Sequence, residues 1–167
     1  MIKDFNSFNE DKKVNYEIER RFLLEKLPNI EFDEVKMISQ YYGVDPVGNF
    51  RVREEKYTHG FTYFITRKKY VSEGINEEDE KTIDKMEFDE LKSKTNSHIS
   101  KKRHILYLDN GLKWEVDSFL DFDMVVAEIE IPQIDYRLDI PEEIKSVLVE
   151  EITHRKDLSN FALSIKN

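Results

Sequence analysis

From Asn15 onward the chain repeats one pattern: charged residues recur at every second position, with mostly apolar residues between them. In a β-strand, residues i and i+2 point to the same face, so each such stretch builds a strand with one charged and one apolar face. Glu17, Glu19 and Arg21 share a face, with Tyr16, Ile18 and Phe22 on the other and Arg20 as the exception. Arg51 and Arg53 share one, backed by Phe50 and Val52; Phe64, Thr66 and Lys68 share one, backed by Tyr63 and Ile65. Glu78 pairs with Glu80, Lys101 with Arg103, Glu115 with Asp117 opposite Trp114 and Val116, and Glu128 with Glu130 opposite Ala127, Ile129 and Ile131. Most of these doublets are wholly acidic or wholly basic.

An ordinary solvated sheet face mixes Thr, Ser, Gln, Lys and Glu, and like charges repel across neighbouring strands. Segregated doublets are tolerated when they face one another across a cavity whose contents balance them. Acidic doublets suit hard divalent cations such as Mg²⁺ or Mn²⁺. Basic doublets suit phosphoryl oxygens, which arginine grips with a planar fork. Both in one cavity describe a metal–polyphosphate site, with the apolar faces turned outward beneath helices or a partner subunit. Glu78 and Glu80 fit a solvated edge equally well, because Asn76-Glu77-Glu78-Asp79-Glu80 is so acidic throughout.

The alternation predicts strands over 15–25, 36–43, 49–57, 60–69, 77–83, 98–108, 112–120 and 124–132. Asp109-Asn110-Gly111 reads as a hairpin turn. Three helices are expected: 85–95 capped by Asp84, with Glu87 three residues on; 141–149 with Pro141 first; and 155–165 with Leu158, Phe161, Ala162 and Ile165 in helical phase. Many strands with few peripheral helices make an α+β barrel. The 167 residues suit a single domain over 14–167, preceded by a polar, flexible arm over 1–13.

Charged residues make up 37% of the chain, against about 25% in an average domain, and the net charge is −9. That balance disfavours nucleic acid and anionic membranes as partners but leaves room for a local basic cluster. With no cysteine, disulfides, thiolate metal sites and a cysteine nucleophile are excluded. No apolar run approaches the ~18 residues of a membrane span. The opening MIKDFNSFNEDKK lacks the apolar stretch of a signal peptide, so a cytoplasmic protein is expected. The four histidines are scattered without ligand spacing, and Trp114 reads as core.

The ordered motifs resemble those of the CYTH superfamily, the triphosphate tunnel metalloenzymes. Tyr16-Glu17-Ile18-Glu19-Arg20-Arg21 resembles its Glu-x-Glu-x-Lys signature, with Arg21 where the pattern has lysine. Gln40-Tyr41-Tyr42, Arg51-Val52-Arg53, the strand ending in Lys68, and Lys101-Lys102-Arg103 follow in order. The late acidic strands around Glu115 and Asp117 and around Glu128 and Glu130 complete it, with Glu151-Ile152-Thr153 and Asn160 as the closing segment. His154-Arg155-Lys156-Asp157-Leu158 stands where that segment usually carries an acid and an Arg-Tyr pair. The likeness spans about residues 15–163.

The resemblance implies an eight-stranded antiparallel tunnel that hydrolyses a small-molecule triphosphate. Glu17, Glu19 and Glu130 are expected to hold Mg²⁺ or Mn²⁺, with Glu128 and Asp117 in support. Arg21, Arg51, Arg53, Lys68 and Arg103 are expected on the phosphates, and Tyr42 and Lys101 near the reacting phosphoryl group. The overall layout looks most like the small bacterial inorganic triphosphatases, which points to tripolyphosphate. Class IV adenylate cyclase, thiamine triphosphatase and RNA 5′-triphosphatase are the alternatives on this fold. A non-catalytic polyphosphate- or nucleotide-binding module and a purely structural barrel are the other classes, and a homodimer is compatible with the outward apolar faces.

Overall fold

A computed structural model of the chain describes residues 14–167; the arm expected over 1–13 lies outside the described residues. The strands are β1 (Tyr16–Leu24), β2 (Glu34–Asp45), β3 (Gly48–Tyr57), β4 (Gly60–Ser72), β5 (Ile75–Ile83), β6 (Thr95–Tyr107), β7 (Lys113–Phe119), β8 (Val125–Glu130) and β9 (Leu148–Glu151). Three helices accompany them: α1 (Lys85–Lys92), α2 (Glu142–Lys145) and α3 (Asn160–Lys166). Among the described residues no helix is long and apolar enough to cross a membrane.

The sheet runs β5-β4-β3-β2-β6-β7-β8-β1, every neighbouring pair antiparallel, and β1 returns to β5 to close an eight-stranded barrel. One edge of β1 is shared. Its first residues pair with β5, Glu17 opposite Asn76, while Phe22–Leu24 pair with β9. At the changeover the Glu19 amide donates to the Gly74 carbonyl at 2.9 Å. Gly74 has φ +71°, and a Cβ there would sit 2.9 Å from the Glu19 carbonyl oxygen, so only glycine fits this seam.

Burial follows the alternation. The outward residues Phe22, Trp114, Val116, Ala127 and Ile129 form a core with Ile131, Ile144 and Val147, so α2 and its flanking segments cover that side of the barrel. Phe50, Val52 and Ile83 pack beneath Phe88 of α1. The Asp84 side chain accepts from the Glu87 amide at 2.8 Å, which starts α1 at the expected cap. The odd outward charge, Arg20, makes a two-pronged ion pair with Glu151 of β9, at 2.9 and 2.8 Å. Gly111, at φ +84°, turns the β6–β7 hairpin as expected.

Two helix expectations are corrected. The helix expected over 141–149 lasts only from Glu142 to Lys145, with Pro141 as its extended N-cap, and Leu148–Glu151 is a strand. The free half-edge of β1 offers that segment a hydrogen-bonding partner, and its branched Val149 suits a strand. The helix expected over 155–165 is split: Lys156–Leu158 forms a 3₁₀ turn, Ser159 is extended, and its hydroxyl caps α3 through the Ala162 amide at 3.1 Å. Leu163 and Ser164 are the buried positions of α3, whereas Phe161 and Ile165 are exposed.

Candidate functional site

The inward residues of the strands enclose a cavity of about 580 Å³. Its lining includes eight acidic and eight basic side chains. The barrel brings together every doublet singled out in the sequence, Glu78 and Glu80 included. Asp117 alone lies beneath the lining rather than on it.

Register places the acids. Glu19 on β1 stands opposite Glu130 on β8, and Arg21 opposite Glu128. Burial, then Glu128 and Glu17, push the Glu19 carboxyl up to about 7, against the weaker pull of Lys68 and Arg21. Glu17 and Glu78, the latter at 2.9 Å, hold the Lys68 ammonium. Burial works to lower the lysine's pKa, but Glu17 and Glu19 raise it above its usual range. Among the described residues no three acids or histidines converge closely enough to cage a cation unaided.

Beside these acids, β6, β7 and β8 carry a buried ion-pair network. Asp117 and Lys101 are fully buried and lie 2.5 Å apart. Asp117 also accepts two bonds from Arg103 at 2.7 Å, and Arg103 reaches Glu128 at 3.1 Å and Glu115. Burial alone would raise the Glu128 and Asp117 carboxyls, but Lys101, Arg21 and Arg103 outweigh it for Glu128, and Arg103 and Lys101 for Asp117. Both stay ionised. With Lys101, desolvation wins and its pKa is lowered. The buried Tyr42 hydroxyl is pushed up by burial and donates to Gln40 at 3.3 Å.

Arg51 and Arg53 project from β3. Each donates to Glu80, at 3.3 and 2.9 Å, and Arg51 also to Thr66 at 3.1 Å. The Arg53 guanidinium covers the Phe64 ring, 4.6 Å from its centroid. Two guanidinium N–H groups of this lining, Arg21 Nη2 and Arg51 Nε, are buried with no hydrogen-bond acceptor, while Arg53 Nε lies 3.1 Å from Glu55 Oε1. A buried donor left unpaired costs about 1–3 kcal/mol, so two in one cavity mark a place for acceptor oxygens.

Several lining residues were not singled out. Lys36, Glu55 and Tyr57 form a cluster in which the buried Glu55 takes Lys36 at 2.8 Å and Tyr57 at 2.5 Å. Continuing the phase of Arg51 and Arg53 by two and four residues reaches Glu55 and Tyr57, and stepping back from Gln40 and Tyr42 reaches Lys36. Lys113 is likewise in phase with Glu115 and lies 2.6 Å from it. Ser159, Asn160 and Phe161 also line the cavity; only the resemblance points to Asn160, helical phase marks Phe161 as a packing position, and nothing points to Ser159. At this end the inward faces turn apolar. Ile99, Phe119 and Val126 pack with Ile152 and Leu163, and Phe161 meets Tyr42 edge-on at 5.5 Å, so α3 floors the cavity.

No protein-family model matches the sequence, and no curated protein does. Solved structures do. The inorganic triphosphatase NE1496 aligns at 25% identity over 89% of this chain and 94% of its own, with a TM-score of 0.56. The PH1819 protein of Pyrococcus horikoshii OT3 aligns at 17% identity over 78% of this chain and 82% of its own, with a TM-score of 0.57. HpAC1 from Hippeastrum, a protein with a dominant triphosphatase activity, aligns at 16% identity over 70% of this chain and 80% of its own, with a TM-score of 0.53. The last two likenesses are of fold alone.

Proposed function

We propose that this chain, whose closed barrel is the triphosphate tunnel fold of CYTH proteins, is a divalent-metal-dependent triphosphatase and that inorganic tripolyphosphate is its substrate. The observation that carries the reading is that two buried, unpartnered guanidinium donors, on Arg21 and Arg51, share one cavity with Glu17, Glu19 and Glu130. The likeness to an inorganic triphosphatase over nearly the whole of both chains supports it.

Charge decides what must enter together. The lining's basic and acidic side chains are equal in number, so the cavity has no surplus positive charge for a polyanion. A triphosphate therefore enters most favourably with its own counter-cation. Glu19 and Glu130 are the first acids to hold that cation, because Glu128 and Asp117 already accept from Arg21, Arg103 and Lys101; Glu17, two residues from Glu19 on the same strand face, joins them by sharing itself with the less buried Lys68. The residues present fit the ion: Glu19 is driven towards protonation by burial and neighbouring carboxylates, the condition a divalent cation relieves. Mg²⁺ is ordinarily held by one or two carboxylates plus substrate phosphates, so the lack of a complete protein cage agrees with this role. When bound, the ion supplies charge neutralisation at the phosphoryl oxygens.

The chain's own residues do the rest. Arg51 and Arg21 offer unpartnered N–H groups to phosphate oxygens, with Arg53, Lys68 and Arg103 adding charge. Lys101 and Tyr42 lie beside the reacting group, Asp117 orienting Lys101. Phosphoryl transfer depends on positioning and electrostatic stabilisation more than on covalent chemistry, and this lining offers both. Water is the nucleophile, and no serine or cysteine is needed.

The test is product release from tripolyphosphate, thiamine triphosphate, ATP and triphosphate-ended RNA, each with Mg²⁺ or Mn²⁺. Orthophosphate release from tripolyphosphate that needs the metal and vanishes in Glu19→Gln is the expected result. Cyclic AMP with pyrophosphate from ATP would instead make the chain a cyclase. No turnover by a folded protein would leave a binding module.

A further inference from the structure

Arg21 is only 6% exposed and joins two parts of the molecule. Within the cavity its Nε donates to Glu128 at 2.9 Å. In the other direction its Nη1 donates to the Leu158 carbonyl at 3.1 Å, on the segment leading into α3. Its backbone is tied to the same segment twice: the Arg21 amide donates to the Thr153 hydroxyl at 3.0 Å, and the Arg21 carbonyl accepts from the Ile152 amide at 2.8 Å. Its Nη2 is buried without an acceptor. The segment so held continues directly into Ser159, Asn160 and Phe161, which line the cavity, and the buried Asn160 Oδ1 also lacks a partner.

We infer that Arg21 is a positioning residue: its guanidinium pins the 152–158 segment, so that Ser159–Phe161 form an ordered cavity floor whose stability depends on what fills the cavity. The side-chain geometry requires arginine. A guanidinium presents donors from three nitrogens in a fixed plane and serves Glu128 and Leu158 at once while keeping Nη2 for a third acceptor. A lysine ammonium carries all its donors on one nitrogen and cannot span both partners. Arginine at this position, where the resembling motif has lysine, thereby gains a structural duty towards the C-terminal segment. The link to the substrate rests on the proposed function: a phosphoryl oxygen accepting from Nη2 would fix the guanidinium plane and, through Leu158, the floor.

The experiment is hydrogen exchange of backbone amides in 158–166 of the full chain, with and without tripolyphosphate and Mg²⁺, in wild type, Arg21→Lys and Thr153→Val. Calorimetry on the same samples reports binding. Without ligand, Arg21→Lys is expected to speed floor exchange about tenfold or more, the scale of losing a hydrogen bond from a charged donor, while exchange in β2, β3 and β6 stays put. Thr153→Val keeps the guanidinium, removes only a backbone tie, and is expected to loosen the floor less; if Arg21→Lys does not fold, Arg21→Gln carries the ligand-free test, and wild-type floor exchange in it refutes the pinning. In wild type, bound tripolyphosphate is expected to slow floor exchange, and in Arg21→Lys to bind without doing so. A folded Arg21→Lys with wild-type floor exchange overturns the inference. Tripolyphosphate that binds wild type and leaves its floor unchanged overturns the coupling. Failure of tripolyphosphate to bind at all refutes the functional reading and the coupling with it, while the ligand-free comparison still decides the pinning.

Discussion

Replacing Glu19 with glutamine should make the metal-free protein more stable at pH 8 while removing its activity. Burial and the neighbouring Glu128 and Glu17 raise this carboxyl from 4.5 to about 7. The folded state therefore holds the proton more tightly than the unfolded chain does. Stability from this group is complete below about pH 4.5 and is lost as pH rises through about 7. A shift of roughly 2.5 units at about 1.36 kcal/mol each gives about 3.4 kcal/mol as a ceiling. Glu19 is only part-buried, and water reaching it reduces this to about 1–2 kcal/mol. Glutamine mimics the protonated form at every pH. In a domain this size the gain corresponds to about 2–8 °C in Tm at pH 8. Calorimetry without divalent metal, from pH 5 to pH 8, should show the difference vanish towards pH 5. Saturating Mg²⁺ should raise the wild-type Tm and leave the variant nearly unmoved. A variant no more stable than wild type at pH 8, or a difference independent of pH, would refute the reasoning that burial and neighbouring carboxylates drive Glu19 towards protonation.

Asp117→Asn strips the fully buried Lys101 and Arg103 of their shared counter-charge and should cost about 3–5 kcal/mol in urea unfolding. Arg51→Ala removes a donor proposed for phosphate; kcat/KM on tripolyphosphate should fall about 30- to 100-fold, the scale of a charged hydrogen bond, with Tm little changed. Trp114 is fully buried and its indole N–H has no acceptor, so Trp114→Phe should cost much less than the about 3–5 kcal/mol expected of Trp114→Ala. Gly74→Ala should destabilise by at least about 1 kcal/mol by denaturant melt, because a Cβ meets the Glu19 carbonyl and φ is positive.

The two-faced strands were legible because period-two alternation is local: it depends on neighbours two residues apart. Those faces named nearly every charged residue of the cavity, from Glu17 to Glu130, and continuing the phase would have added Lys36, Glu55, Tyr57 and Lys113. Which face turned inward was not a local matter. Sequence alone left Glu78 and Glu80 as readily at a solvated edge; the β3–β4 and β4–β5 registers set them beside Lys68, Arg51 and Arg53, and closure of β5 onto β1 turned that face into the cavity. Nor does local pattern separate acids that share a face into different duties. Asp117 and Glu128 accept from Lys101, Arg103 and Arg21, whereas Glu19 stands against Glu130, because cross-strand register chose their partners. The same reason accounts for the two mistaken helices. Leu148–Glu151 is a strand because β1 leaves half an edge unpaired, and Ser159 interrupts the last helix where the chain, held at Leu158 by Arg21, turns to floor the cavity. The sequence by itself determined which residues alternate and with what charge. The tertiary structure alone decided which carboxylates have partners, since that depends on contacts between different strands, up to the 107 positions that separate Arg21 from Glu128.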